Sequence, residues 1–208
     1  MTVDELRAVL LAGRLAIVPT DTVYGLAAAL DSEAGVAALY ALKGRPRAEP
    51  CQVLVYTDAL VAEALAPLDD RTAAAARALI PGPVTCLVPD PSGRYRAASG
   101  SMPGSVGIRA PSMTPSLDLG IPLIATSANE PGGADPLTVD DVPAWMRTAV
   151  AGIVECGRLG PRASTVVDLR ALPEAGPARL VRPGPDADAV VRSLAELGVV
   201  VLGGPAAD

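Results

Sequence analysis

The stretch PTDTVYGLAAAL, Pro19 to Leu30, follows the apolar run Leu15-Ala16-Ile17-Val18. That run reads as a buried strand. It stops abruptly in a proline, two threonines and an aspartate, after which apolar residues resume. Alone, Pro19-Thr20-Asp21-Thr22 reads as a polar turn, because Pro presets φ and Asp and Thr bond their own backbone. At the end of a buried strand, the same residues can instead floor a site.

Working outward, strand-like segments recur at residues 52–56, 84–88, 106–109, 122–126, 152–156, 165–169, 179–182 and 199–202. Between them lie helical patterns. Thr2 and Glu5 form a capping-box signature for a helix to about residue 12. Asp31 is positioned to cap a helix over residues 32–42, with Val36, Leu39 and Tyr40 on one face. Ala-rich helices are expected over 59–66 and 70–79. Thr138 and Asp141 open another helix, and Asp186 starts a last one to about residue 197. Strands and helices alternate irregularly, which predicts an α/β fold with a twisted mixed sheet rather than a strict βαβ array. No linker composition interrupts the chain. One domain over residues 1–208 is expected, with a loose tail over 203–208.

Composition narrows the function. Half of the 208 residues are apolar and 19% are charged, enough for a substantial core and against disorder. There is no His, which removes imidazole catalysis and His-based metal sites. The formal net charge is −6 and aromatics are 2%, a poor basis for stable nucleic-acid binding. Cys51, Cys86 and Cys156 are scattered, as expected of reduced thiols in a cytoplasmic protein. The first residues lack the pattern of a signal peptide, and no apolar run reaches membrane-spanning length.

Polar clusters then mark candidate chemistry. Pro46 biases Arg45 toward extended backbone, which would turn Lys43 and Arg45 to one side as a cationic clamp. The other reading is a solvated basic helix end, favoured by the helix dipole. Ser127 and Asn129 leave the end of an apolar strand at the same spacing, where ligands of open α/β sheets bind. Arg109, Arg182 and Asp168 are lone charges on apolar strands. A buried Arg needs an anion, and either Asp168 or a bound carboxylate or phosphate could supply it. Neither a P-loop nor a Gly-x-Gly-x-x-Gly motif is present. The remaining side chains bind oxyanions, which suits phosphoryl or nucleotidyl transfer by positioning and charge neutralisation.

In order, seven pieces resemble the YrdC family of threonylcarbamoyl-AMP synthases. They are Pro19 through Leu26, Lys43-Gly44-Arg45-Pro46, Pro81 through Thr85, Val106 through Pro111, Ser127-Ala128-Asn129, Ser164 through Asp168, and Arg182-Pro183-Gly184. The resemblance implies an open twisted mixed sheet, flanked by helices, around a deep cationic cleft. It implies condensation of L-threonine, bicarbonate and ATP to threonylcarbamoyl-AMP and pyrophosphate. A downstream tRNA threonylcarbamoyl transferase would then complete the t6A modification. By motif match, Lys43 and Arg45 would be catalytic, and Lys43, Arg45, Ser127, Asn129 and Arg182 would hold ATP or the adenylate. Thr22, Arg109 and Ser164 would hold threonine. Tyr24 would pack at the cleft wall, and Asp21 has no settled role. Magnesium would accompany the ATP phosphates, with no metal ligand assigned. The pattern's second lysine is replaced here by Glu49. Two alternatives stay open: a YrdC-fold paralogue with lost or altered activity, and an RNA-binding module.

Overall fold

The computed structural model describes residues 1–113, 117–160 and 163–203. Among these residues, ten strands form one mixed sheet. In chain order they are β1 (Ala16–Val18), β2 (Gly25–Ala29), β3 (Gln52–Leu54), β4 (Val84–Pro89), β5 (Ser105–Arg109), β6 (Leu123–Ser127), β7 (Gly152–Ile153), β8 (Thr165–Asp168), β9 (Ala178–Arg182) and β10 (Val201–Leu202). Their spatial order is β10-β9-β8-β4-β5-β3-β6-β2-β1-β7, with β3 and β5 parallel at the centre. The helices are α1 (Val3–Leu11), α2 (Glu33–Lys43), α3 (Asp58–Leu65), α4 (Asp70–Arg77), α5 (Arg96–Ser99), α6 (Ala144–Ala149) and α7 (Ala187–Glu196).

Local chemistry explains most boundaries. Thr2 and Glu5 cap α1 reciprocally, at 2.7 and 3.2 Å. Helix α2 begins one residue later than the sequence suggests, and its cap is Ser32 rather than Asp31. Asp31 instead holds Arg94 through two hydrogen bonds. Thr138 and Asp141 do form a capping box, but it closes only a 3₁₀ turn, Val139–Asp141. Pro143, which lacks an N–H, separates that turn from α6.

The expected strands are all present, and β2 is an addition to them. It makes the opening stretch a hairpin. Gly25 pairs with Val18 across one side and with Ser127 across the other. The loop from Pro19 to Tyr24 is thereby set beside the end of β6.

The two sheet faces differ. On one, α2, α3, α4 and α7 bury Leu39, Leu60, Ala76 and Leu194 in the same core as Val53, Cys86, Ile108 and Ile124. On the other, α1 packs Leu6 and Leu10 in a smaller core with Ala27, Leu54, Leu123 and Ala125. Strand residues alternate between faces. Gln52, Thr85, Leu87, Gly107 and Arg109 therefore look out on the second face, beyond the reach of α1, and line an open cavity there.

A short element missing from the sequence reading steadies this region. Residues 98–101 grip the segment after α2: Cys51 N–H donates to Ala98 O at 2.9 Å and Ser101 N–H to Ala48 O at 2.7 Å. Gly100 has φ +55°, and a Cβ there would lie 2.6 Å from both Ala48 O and Pro50 N. Gly100→Ala should therefore cost about 1–3 kcal/mol in urea unfolding. A change below about 0.5 kcal/mol would mean that this contact is soft.

Candidate functional site

Two adjoining cavities, about 440 and 320 Å³, share Arg45, Thr126 and Ser127 and together form a cleft. Gly25, Gly107 and Ala125 lie on the floor of the larger one. A Cβ on Gly107 would already sit 3.2 Å from Thr85 Cγ2, so small residues keep that floor open.

The smaller chamber is built on the end of α2. Gly44 takes the left-handed conformation, φ 60°, and stops the helix. Lys43 is thus helical rather than extended, yet it and Arg45 still converge on the end of β6. Lys43 is 6% exposed. Its Nζ donates to Ser127 O at 2.9 Å, to Asn129 Oδ1 at 2.7 Å and to the Asn129 backbone oxygen. All three acceptors are neutral. Burial, reinforced by the neighbouring Arg45 charge, pushes the Lys43 pKa down to about 8. Ser127 Oγ donates to Asn129 Oδ1 at 2.7 Å, and Asn129 Nδ2 donates to Gly133 O at 2.9 Å. Arg45 is held by Thr126 Oγ1 and Pro50 O, both at 2.9 Å, and its Nε lies 2.8 Å from Glu49 Oε2. Arg47, the other basic residue of this loop, is exposed and stacks over the Tyr40 ring at 4.8 Å.

The larger chamber is built on β5 and the β1–β2 hairpin loop. Arg109 is 1% exposed, and its Nη2 donates to Thr22 Oγ1 at 2.6 Å and to the Asp21 carboxylate. Thr20 Oγ1 lies at 3.3 Å, and the same hydroxyl accepts from the N–H groups of Thr22 and Val23, which fixes the turn. Arg109 Nε is buried with no hydrogen-bond partner among the described residues. Across the chamber, Arg182 donates to Ser164 O at 2.8 and 3.1 Å and to Ser164 Oγ at 3.2 Å. Ser164 Oγ is 3.0 Å from Thr85 Oγ1, which donates to Gln52 Oε1 at 3.1 Å.

The Sua5/YciO/YrdC family model, described as "Telomere recombination", matches residues 8–184. The chain belongs to this family. A mouse threonylcarbamoyl-AMP synthase is 35% identical over 200 residues, covering 88% of this chain and 65% of its own length. The chain thus spans just under two thirds of that relative. A Mycobacterium leprae relative, 34% identical over 93% of this chain and 86% of its own length, bears the same name provisionally. Among solved structures, Pyrococcus abyssi Sua5 complexed with L-threonine superposes with TM-score 0.80 and 26% identity, over 96% of this chain and 58% of the other. Escherichia coli YciO shares the fold, with TM-score 0.74 at 20% identity over 88% of this chain and 89% of its own.

Within this family member, the sequence reading is sharpened at several positions. Lys43, Arg45, Ser127 and Asn129 come together, and Arg109, Ser164 and Arg182 line the adjoining chamber. Ser164 and Arg182, read as serving different substrates, are bonded to each other. Thr22 lines neither chamber; it supports Arg109, and Thr20 and Val23 face the cavity instead. Tyr24 does not wall the cleft. It is fully buried on the helix-covered face, and its hydroxyl donates to Gly157 O at 2.8 Å and accepts from Cys156 N–H at 3.0 Å. Asp168 is not the partner of Arg109 or Arg182: it binds Arg170, and Asp21 is the Arg109 counter-ion. Gln52, Thr85 and Thr126 escaped the sequence reading. For Gln52 and Thr85 the signal was a polar residue on an apolar strand at the period that faces the cleft. Thr126 falls on the opposite face, with Leu26 and Ile124, and meets the site through Arg45.

The lowered pKa of Lys43 fixes a sign. A base held below its ordinary value destabilises the fold fully below about pH 8, and the loss is relieved as pH rises toward 10.5. Wild type should therefore gain on the order of 3 kcal/mol relative to Lys43→Met between pH 7 and 10.5. Chemical denaturation at both pH values checks this, and a constant difference would remove the argument. Anion affinity due to Lys43 should run the opposite way and fall above pH 8.

Proposed function

We propose that this chain is an L-threonylcarbamoyladenylate synthase, a nucleotidyltransferase acting as one YrdC-like domain in the cytoplasm. L-threonine, bicarbonate and ATP give threonylcarbamoyl-AMP and pyrophosphate, for a downstream tRNA threonylcarbamoyl transferase. The observation that carries this reading is the pair of chambers meeting at Arg45, one lined by the buried Arg109 guanidinium, whose Nε has no partner among the described residues, the other ending in Lys43 among neutral oxygens. The names of the mouse and M. leprae relatives support it, as does the L-threonine in the P. abyssi complex.

In this reading the Arg109 guanidinium receives the threonine carboxylate, and Thr20 and Ser164 border the amino acid. Lys43, Arg45, Ser127 and Asn129 hold the triphosphate, and Arg182 stands where the two substrates meet. The threonine amine adds to the bicarbonate carbon with loss of water. A carbamate oxygen then attacks the α-phosphorus, whose bond to the departing pyrophosphate breaks. Both reactants are anionic, so the protein's part is to neutralise charge, orient the attack and exclude water from a labile carbamate. We read the cleft as cationic on the strength of Lys43, Arg45, Arg109 and Arg182; Glu49 and Asp135 border it too, and Asp21 pairs with Arg109.

Among the described residues, no group of three or more Asp, Glu or Cys side chains is placed to hold a metal ion. The described residues therefore offer no fitting magnesium cage. The reading brings the ion in on the triphosphate oxygens, and no step is assigned to it. Stable tRNA binding forms no part of the reading, given a net charge of −6. Nor does a membrane, since no helix among the described residues is long and apolar enough to cross one.

A second reading, a family member with altered activity, draws on Glu49 beside Arg45. One assay separates the two. Purified protein with ATP, threonine and bicarbonate should release pyrophosphate only when all three are present. No threonine-dependent release, beside a working control, would favour the second reading. Arg45→Ala should raise the KM for ATP about 10- to 100-fold while leaving the melting transition cooperative, as expected for loss of a charged hydrogen bond at a binding site.

A further inference from the structure

Arg45 and Lys43 face the smaller chamber with different partners. Among the described residues, Lys43 is bonded to neutral oxygens, whereas Arg45 has a carboxylate beside it. Glu49 lines the same chamber as Lys43, Ser127 and Asn129. Its side chain is 55% exposed, against 23% for that of Arg45.

The Glu49 backbone is fixed and its head is not. Tyr40 Oη donates to Glu49 O at 3.0 Å, and Glu49 N–H donates to Pro46 O at 3.0 Å. The Glu49 carboxylate is 2.8 Å from Arg45 Nε, but Nε has no aligned hydrogen bond among the described residues. The Arg45 side of this pair is largely buried, but its carboxylate side is exposed and unaligned, which makes the pair weak and lets the acid exchange with solvent. Arg45 is anchored by Thr126 and Pro50 independently of Glu49. Its position therefore does not need the carboxylate.

We propose that Glu49 is an internal anion that competes with the phosphates of the ligand for Arg45, holding polyphosphate affinity down and speeding polyphosphate release. The inference rests on the reading that this chamber takes nucleotide phosphates. In the free protein the carboxylate neutralises Arg45. When a polyphosphate enters, two anions meet one guanidinium, and the carboxylate turns outward to solvent, which its exposure permits. When pyrophosphate is the product, the returning carboxylate replaces it on Arg45. Glu49 thus sets the ligand's residence time rather than the chemistry.

Calorimetric titration of inorganic pyrophosphate into wild type, Glu49→Gln and Glu49→Ala tests this directly, without turnover. Both variants should bind about tenfold or more tightly than wild type, through slower dissociation, and the gain should shrink between 50 and 300 mM salt as screening rises. Melting curves should match wild type, because the side chain is exposed. In the Arg45→Ala background, the gain from Glu49→Gln should fall below about threefold. Equal or weaker binding by the single variants would overturn the inference alone, since Glu49 would then support Arg45 instead of competing for it. An undiminished gain in the Arg45→Ala background would overturn the route through Arg45. No binding by any of the chains would overturn the inference together with the phosphate reading beneath it.

Discussion

Arg109 buries its guanidinium at 1% exposure at the end of β5, near the centre of the sheet. A charge so placed is stable only if paired and hydrogen-bonded, and removing one partner of such a pair costs about 3–5 kcal/mol. Asp21 supplies the countercharge, and Thr20 and Thr22 supply hydroxyls. The Asp21 carboxylate also accepts from Ser112 N–H at 2.9 Å, and Tyr56 Oη donates to Pro19 O at 2.9 Å. The β1–β2 loop is therefore drawn onto β5 by a buried ion pair and steadied from both sides. Its polar residues, which look like a solvated turn in the sequence, are buried because Arg109 needs them.

The other end of the cleft meets the same difficulty differently. Among the described residues, Lys43 has no carboxylate at hydrogen-bonding distance and relies on oxygens of Ser127 and Asn129. Neutral oxygens replace the hydration of the ammonium only in part, hence the pKa near 8. One cation is matched before any ligand arrives and the other is not. An incoming anion gains more from the unmatched charge, because no internal carboxylate must be displaced. The smaller chamber thus combines a strong anchor in Lys43 with a contested one in Arg45.

Much of this was legible in the sequence. Nine strands were marked by apolar runs, and the motif residues by polar interruptions of those runs or, for Lys43 and Arg45, by basic residues at a helix end. Strand β2 was not marked, because Gly25-Leu26-Ala27-Ala28-Ala29 has no β-branched residue and little strand preference. Tertiary pairing to β1 and β6 makes it a strand. The pairing of Arg109 with Asp21 was equally hidden, since 88 residues separate them and only the hairpin brings them together. Tyr24 was misassigned for a related reason. In a chain with four tyrosines, any one looks available for a cleft. Once β2 sets the alternation, however, Tyr24 falls on the same face as Leu26 and Ala28.

That alternation also explains why the cleft stays open. At the centre of the sheet, the face opposite α2, α3 and α4 carries Gly25, Gln52, Thr85, Gly107 and Ser127. A helix laid there would strand amides and hydroxyls against apolar side chains, at a cost of about 1–3 kcal/mol for each unmatched group. Toward β1 the same face turns to Ala16, Val18 and Ala27, and α1 packs there at once. The boundary between covered and open sheet is thus written in which side chains fall at alternate positions. The cleft is the part of the face that no apolar helix can seal, and its residues are left to bind polar molecules instead.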